Sequence, residues 1–105
     1  MPRATRFPVI LPLRYRTQGE QEWSYGMTID ISSSGVLFRA AHVLDLQAPV
    51  EIEVIFPGDI DGSARVVSRG TVKRTVITAD AGHEEFMAAS FEDYDFVRVP
   101  REAVH

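Results

Sequence analysis

Several stretches of the chain alternate between apolar and polar side chains at a period of two, the spacing of a strand with one face in a core. Val9, Leu11, Leu13 and Tyr15 share one parity, with Pro12, Arg14 and Arg16 on the other. Pro12 marks an edge or an unpaired position, because proline has no N–H to give to a ladder. Trp23, Tyr25, Met27, Ile29 and Ile31 repeat next, and their common parity reads as core. Val36 and Phe38 share a face in the following run, and Val50, Ile52, Val54 and Phe56 then alternate with Glu51, Glu53 and Ile55, the cleanest strand pattern in the chain.

Turn-forming residues separate these runs. Thr17-Gln18-Gly19-Glu20, Pro57-Gly58-Asp59, Asp61-Gly62 and Ala79-Asp80-Ala81-Gly82-His83 each interrupt the alternation with residues that favour tight turns. Ala41 to Pro49 reads as a connection with room for one short helical turn. Ser63 to Thr78 is β-branched and basic, and Gly70 near its middle predicts a bulge or bend. Glu85 to Phe91 closes the pattern. With no long amphipathic stretch, six or seven short strands predict an all-β domain, a small antiparallel barrel whose closure removes exposed edges. The expected organisation is one domain over 1–105, with a basic arm at 1–8, the barrel at 9–91 and a C-terminal tail at 92–105.

At 105 residues, 45% hydrophobic and 25% charged, the chain suits one globular core. It has no cysteine, which excludes disulfides, thiolate chemistry and Cys-based zinc sites. No run approaches the roughly 20 apolar residues of a membrane span, and no apolar signal core follows the basic start. These features predict a soluble, cytoplasmic protein. The net charge of −4 disfavours nucleic acid as a partner, which needs basic surface to neutralise phosphates. Yet Arg3, Arg6, Arg14 and Arg16 all precede the first acidic residue, Glu20. A basic patch on an acidic body suits a small anionic ligand.

Between the second and third strands lies Asp30-Ile31-Ser32-Ser33-Ser34-Gly35, the pattern D-x-S-x-x-G. By itself it makes a turn, since Asp and Ser side chains bond to nearby backbone N–H groups. Preceded at this separation by Pro2-Arg3-Ala4-Thr5-Arg6-Phe7-Pro8-Val9, and followed by Gly70-Thr71-Val72-Lys73-Arg74, it resembles the PilZ domain family, bacterial receptors for cyclic di-GMP. The resemblance covers nearly the whole chain. It implies a six-stranded antiparallel barrel of the split-barrel type, often with a C-terminal helix for which the tail here is short.

The resemblance also implies a ligand site made of Arg3, Arg6, Asp30, Ser32, Gly35 and Arg74. A guanidinium meets guanine O6 and N7 with two parallel hydrogen bonds and pairs with phosphate. The Asp30 carboxylate would accept from guanine N1–H and N2–H₂, Ser32 would bond the ligand's polar atoms, and Gly35 would turn the backbone without a Cβ in the way. The family arm reads R-x-x-x-R, and Pro2 stands where its first arginine belongs, leaving Arg3 and Arg6 as R-x-x-R. Two functions are therefore open. One is a cyclic di-GMP receptor whose arm orders on the ligand and signals to a partner protein or domain; the other is a protein-interaction module of the same fold that binds no nucleotide.

Enzymatic readings find no support. G-x-S-x-G and G-x-x-x-x-G-K-[ST] are absent, and His42, His83 and His105 lack metal-ligand spacing. No catalytic residue, metal or cofactor is expected. Arg65, Arg69 and Lys73 read as surface charge.

Overall fold

The computed structural model describes residues 5–57, 63–78 and 84–99. It contains seven strands and, among the described residues, no helix: β1 (Phe7–Pro8), β2 (Pro12–Thr17), β3 (Ser24–Ser32), β4 (Gly35–Ala40), β5 (Pro49–Phe56), β6 (Ser63–Ile77) and β7 (Glu85–Val99). Every pairing is antiparallel, and the order β3-β2-β5-β6-β7-β4 closes on itself through β3–β4. This is the expected six-stranded barrel, with β1 added to β3 as a seventh strand.

Leu11, Leu13, Tyr15, Val36, Phe38, Val50, Ile52, Val54, Val72 and Met87 fill the interior. The alternation in β2 and β5 thus predicts their buried faces. Pro12 opens β2 and pairs with Met27 alone, so its missing N–H interrupts no two-sided ladder. Tyr15 is fully buried, its hydroxyl donating to the His42 carbonyl at 2.6 Å and accepting from the His42 N–H at 3.0 Å. Burial raises the phenol above its ordinary pKa, outweighing the hydrogen bond to His42. That anchor holds the segment after β4 across the barrel end as bends and turns, without the helical turn its sequence allowed.

β3 departs from expectation. Tyr25, Met27 and Ile29 face outward and are exposed, while Thr28 and Ser32 are buried. The pairing sets Gly26 and Thr28 beside the core residues Leu13 and Phe38, and a bulge then breaks the parity: Thr28 pairs with Phe38 and Asp30 with Leu37, leaving Ile29 as an extra residue. Past a bulge the parity inverts, so Ile31 turns inward beside Val36 and Asp30 turns outward. An unbroken strand would have carried Asp30 to the face of Thr28, inside the barrel. Trp23, also read as core, lies half-buried between two guanidinium groups, Arg14 at 4.1 Å and Arg16 at 4.0 Å from its ring centre.

The second half of the chain follows its glycine. The register shifts between Arg69 and Gly70, where a Cβ would lie 1.6 Å from the Ser90 carbonyl oxygen, so the bulge predicted there requires glycine for close approach. The tail differs from expectation. Glu92 to Val99 continues β7, and Asp93 to Val99 pair with Ser63 to Arg69 while Glu92 is the extra residue of the bulge, lengthening the β6–β7 ribbon beyond the reach of β4. Pro100 follows that strand's end in sequence; the turn residues Gly58 to Gly62 and Ala79 to His83 lie outside the described residues.

Candidate functional site

The arm reaches the D-x-S-x-x-G loop through backbone pairing. Phe7 pairs with Ile31 and Pro8 with Asp30, on the edge of β3 that β2 leaves free beyond Met27. Thr28 secures the crossing. Its buried hydroxyl donates to the Val9 carbonyl and accepts from the Leu11 N–H at 2.8 Å, while the Thr28 N–H donates to the Leu11 carbonyl at 2.9 Å. The chain on both sides of Ile10 is therefore fixed against β3, and Arg6 emerges beside Asp30.

These two side chains meet directly. Arg6 Nε donates to Asp30 Oδ1 at 2.8 Å, and a second guanidinium nitrogen lies 2.6 Å from the same oxygen. The arginine side chain is 53% exposed and the aspartate 21%. The remaining N–H groups of the guanidinium and the second carboxylate oxygen are thus available to a third molecule.

Ser32 and Gly35 serve the turn itself. The Ser32 hydroxyl accepts from the Ser34 N–H at 3.2 Å and lies 3.2 Å from the Ser34 hydroxyl, satisfying the loop's own polar groups. Gly35 has no positive φ; it is required because a Cβ would stand 2.5 Å from the Ala89 carbonyl oxygen, where β7 crosses close by. Its reason is strand approach, whereas the sequence suggested freedom of the turn.

Beside the ion pair lies a cleft of about 220 Å³ lined by Arg6, Ser34, Gly35, Lys73, Ala88 and Ser90. Lys73 was read as surface charge, and the feature that brings it here is a second bulge in β6: Val72 pairs with Ala89 and Arg74 with Ala88, leaving Lys73 as the extra residue. No periodicity in the sequence marks that bulge. Arg74 is exposed on the same outer surface, in the cross-strand row Asp30, Leu37, Ala88, Arg74. Three strand spacings, roughly 14 Å, separate it from Asp30. Arg3 lies outside the described residues.

A larger concavity, about 830 Å³, is elsewhere. It is an apolar groove along Pro8, Ile10, Met27, Ile29 and Arg39, and includes neither Arg6 nor Asp30. An anionic, hydrogen-bonding ligand fits the smaller cleft better, since Arg6 and Lys73 both line it and Arg6 also bonds Asp30. That cleft is below the roughly 300–1,000 Å³ of a pocket enclosing a drug-sized ligand, so a dinucleotide would lie across the surface with one part seated. Among the described residues no three His, Asp or Glu side chains converge as a metal site requires. Nor is any helix there long and apolar enough to cross a membrane.

Comparison with known proteins agrees with this fold. The family model for the PilZ domain matches residues 2–92, from the arm to the middle of β7. A solved structure of the Bacillus subtilis inhibitor of motility, MotI/DgrA, superposes with a TM-score of 0.73 at 10% identity, over 90% of this chain and 44% of that one. The chain thus spans under half the length of that neighbour, and at this identity the likeness is one of fold. No curated protein matches the sequence.

Proposed function

We propose a function from one premise: the chain belongs to the PilZ domain family, regulatory modules that include the receptors for cyclic di-GMP, and this member captures that nucleotide where its arm meets its loop. The observation that carries the reading is the Arg6–Asp30 contact at the mouth of the cationic cleft. It joins a guanidinium suited to the O6 and N7 edge of guanine with a carboxylate suited to N1–H and N2–H₂. Adenine offers no such donor pair. Lys73 and Arg6 together supply positive charge for the phosphates.

Magnitudes favour exchange of the ion pair for ligand contacts. An exposed pair of this kind is worth about 0–1 kcal/mol, whereas one bidentate arginine–guanine contact is worth about 1–3 kcal/mol. Fixing a residue costs about 1–2 kcal/mol, and pairing of Phe7 and Pro8 in β1 meets that cost for part of the arm before any ligand arrives. The proposed signal is a change of partner: Arg6 leaves Asp30 for the nucleotide, and the arm ahead of β1 is drawn onto the cleft. The altered surface is what a partner protein or fused domain reads. A second messenger of this kind places the proposed work in the bacterial cytoplasm, with no catalytic step.

The second reading, a PilZ fold that docks a protein and binds no nucleotide, is favoured by Pro2 at the position of the first family arginine. Calorimetric titration with cyclic di-GMP separates the two. The receptor reading expects saturable binding to the wild-type chain, weakened at least tenfold by Arg6→Ala and by Asp30→Ala, with the far-ultraviolet spectrum unchanged. Affinity unaltered in both variants would remove the site, and no heat from the wild type would leave the interaction module.

A further inference from the structure

We infer that the free edge of β7 beyond Phe91 is a docking site for an extended segment of a partner protein, one that alternates basic with bulky apolar residues. β4 pairs with β7 only from Glu85 to Ser90, and the Phe91 N–H donates to the Ser34 carbonyl at 2.9 Å as the last bond on that side. From Asp93 to Val99 the strand is paired with β6 alone among the described residues. Alternate backbone N–H and C=O groups along it point away from the barrel, a template for one more strand.

The two faces of this edge differ in chemistry. Tyr94 pairs with the buried Ser68 and Phe96 with Val66, so both aromatic rings lie on the inner face, yet they are 56% and 61% exposed. A cleft of about 180 Å³ opens beside them, between Ile31, Ser32, Ser33, Val66, Phe91 and Tyr94. Asp93 and Asp95 take the opposite face. Arg69 bonds both of them, at 2.7 and 2.9 Å, but reaches Glu51 as well at 3.8 Å. With Glu92 exposed next to them, one guanidinium leaves this surface acidic.

Charge decides the occupant. A second copy of the chain, paired antiparallel about Tyr94, would set Asp93 opposite the copy's Asp95, and like charges directly opposite destabilise a sheet. A strand with lysine or arginine facing the two aspartates and valine, isoleucine or leucine facing the rings satisfies both faces at once. The cleft borders the loop against which the arm pairs at Ile31, so the test is run without nucleotide.

The probe is a short capped peptide in which lysine alternates with valine, titrated to millimolar concentration into the ¹⁵N-labelled chain; its counterpart has glutamate for lysine. The expected result is that amides from Glu92 to Val99 shift and become protected from exchange with the lysine peptide. The glutamate peptide should bind at least tenfold more weakly, and added salt should weaken the lysine peptide. Asp93→Lys combined with Asp95→Lys should reverse the preference, while Tyr94→Ser with Phe96→Ser should weaken both peptides. The inference is overturned if neither peptide shifts these amides, if both bind equally, or if shifts fall elsewhere. A dimer in sedimentation whose Glu92–Val99 amides are already protected would also overturn it, by giving the edge to a second copy.

Discussion

Thr28 holds the arm, although nothing in its sequence context separates it from any other strand threonine. Its hydroxyl satisfies both the Val9 carbonyl and the Leu11 N–H in a buried position. Thr28→Val keeps the shape and removes both bonds, and a buried donor left unmade costs about 1–3 kcal/mol. Urea denaturation should show a loss of that size, largely restored by Thr28→Ser. At Gly70 the expected effect is steric. A Cβ there meets backbone at 1.6 Å, against 2.5 Å at Gly35, so Gly70→Ala should destabilise by more than Gly35→Ala, at or above the about 1–3 kcal/mol typical of overpacking. Equal thermal shifts for the two alanine variants would contradict the strand approach described for β6 and β7.

Across the strands, charge is arranged in ladders whose members differ in worth. Glu53 on β5 is buried and receives Arg14 from β2 at 3.1 Å and Arg65 from β6 at 3.2 Å. Removing it strands two guanidinium groups that are only partly exposed, so Glu53→Ala should cost about 3 kcal/mol. Asp95→Ala breaks an exposed pair and should cost less than about 1 kcal/mol. Chemical denaturation of the two variants checks the order. The elements that carry these ladders were legible from alternation and turn residues, because burying one face imposes period two on β2 and β5. The outward turn of Asp30 and the cleft position of Lys73 were not. Each follows from one extra residue, Ile29 or Lys73, and a bulge changes facing without changing composition. Glu92 to Val99 was hidden differently: its alternation of acids with Tyr94 and Phe96 is that of a strand with little burial, which resembles a polar tail.

At the scale of the whole barrel, the arm, the loop and the β6 bulge come from three distant parts of the sequence and meet only when β3, β4, β7 and β6 are aligned. A ligand that bridges them binds the folded chain and not the unfolded one, so it must raise stability by mass action. At about one hundred times the dissociation constant that gain is about 2.7 kcal/mol, and for a domain near this size each kcal/mol shifts the midpoint by about 4–8 °C. Cyclic di-GMP at that excess should therefore raise the melting temperature by about 10–20 °C, and GMP, which cannot span the arm and the β6 cations together, should raise it far less. Arg6→Ala removes only an exposed ion pair, so its own melting temperature should stay within a few degrees of wild type. Its shift at the same nucleotide concentration should fall by at least half, since a tenfold loss of affinity removes about 1.4 kcal/mol of a gain of 2.7. A full shift in Arg6→Ala would mean that the nucleotide, if bound, is held somewhere other than the junction of arm and loop.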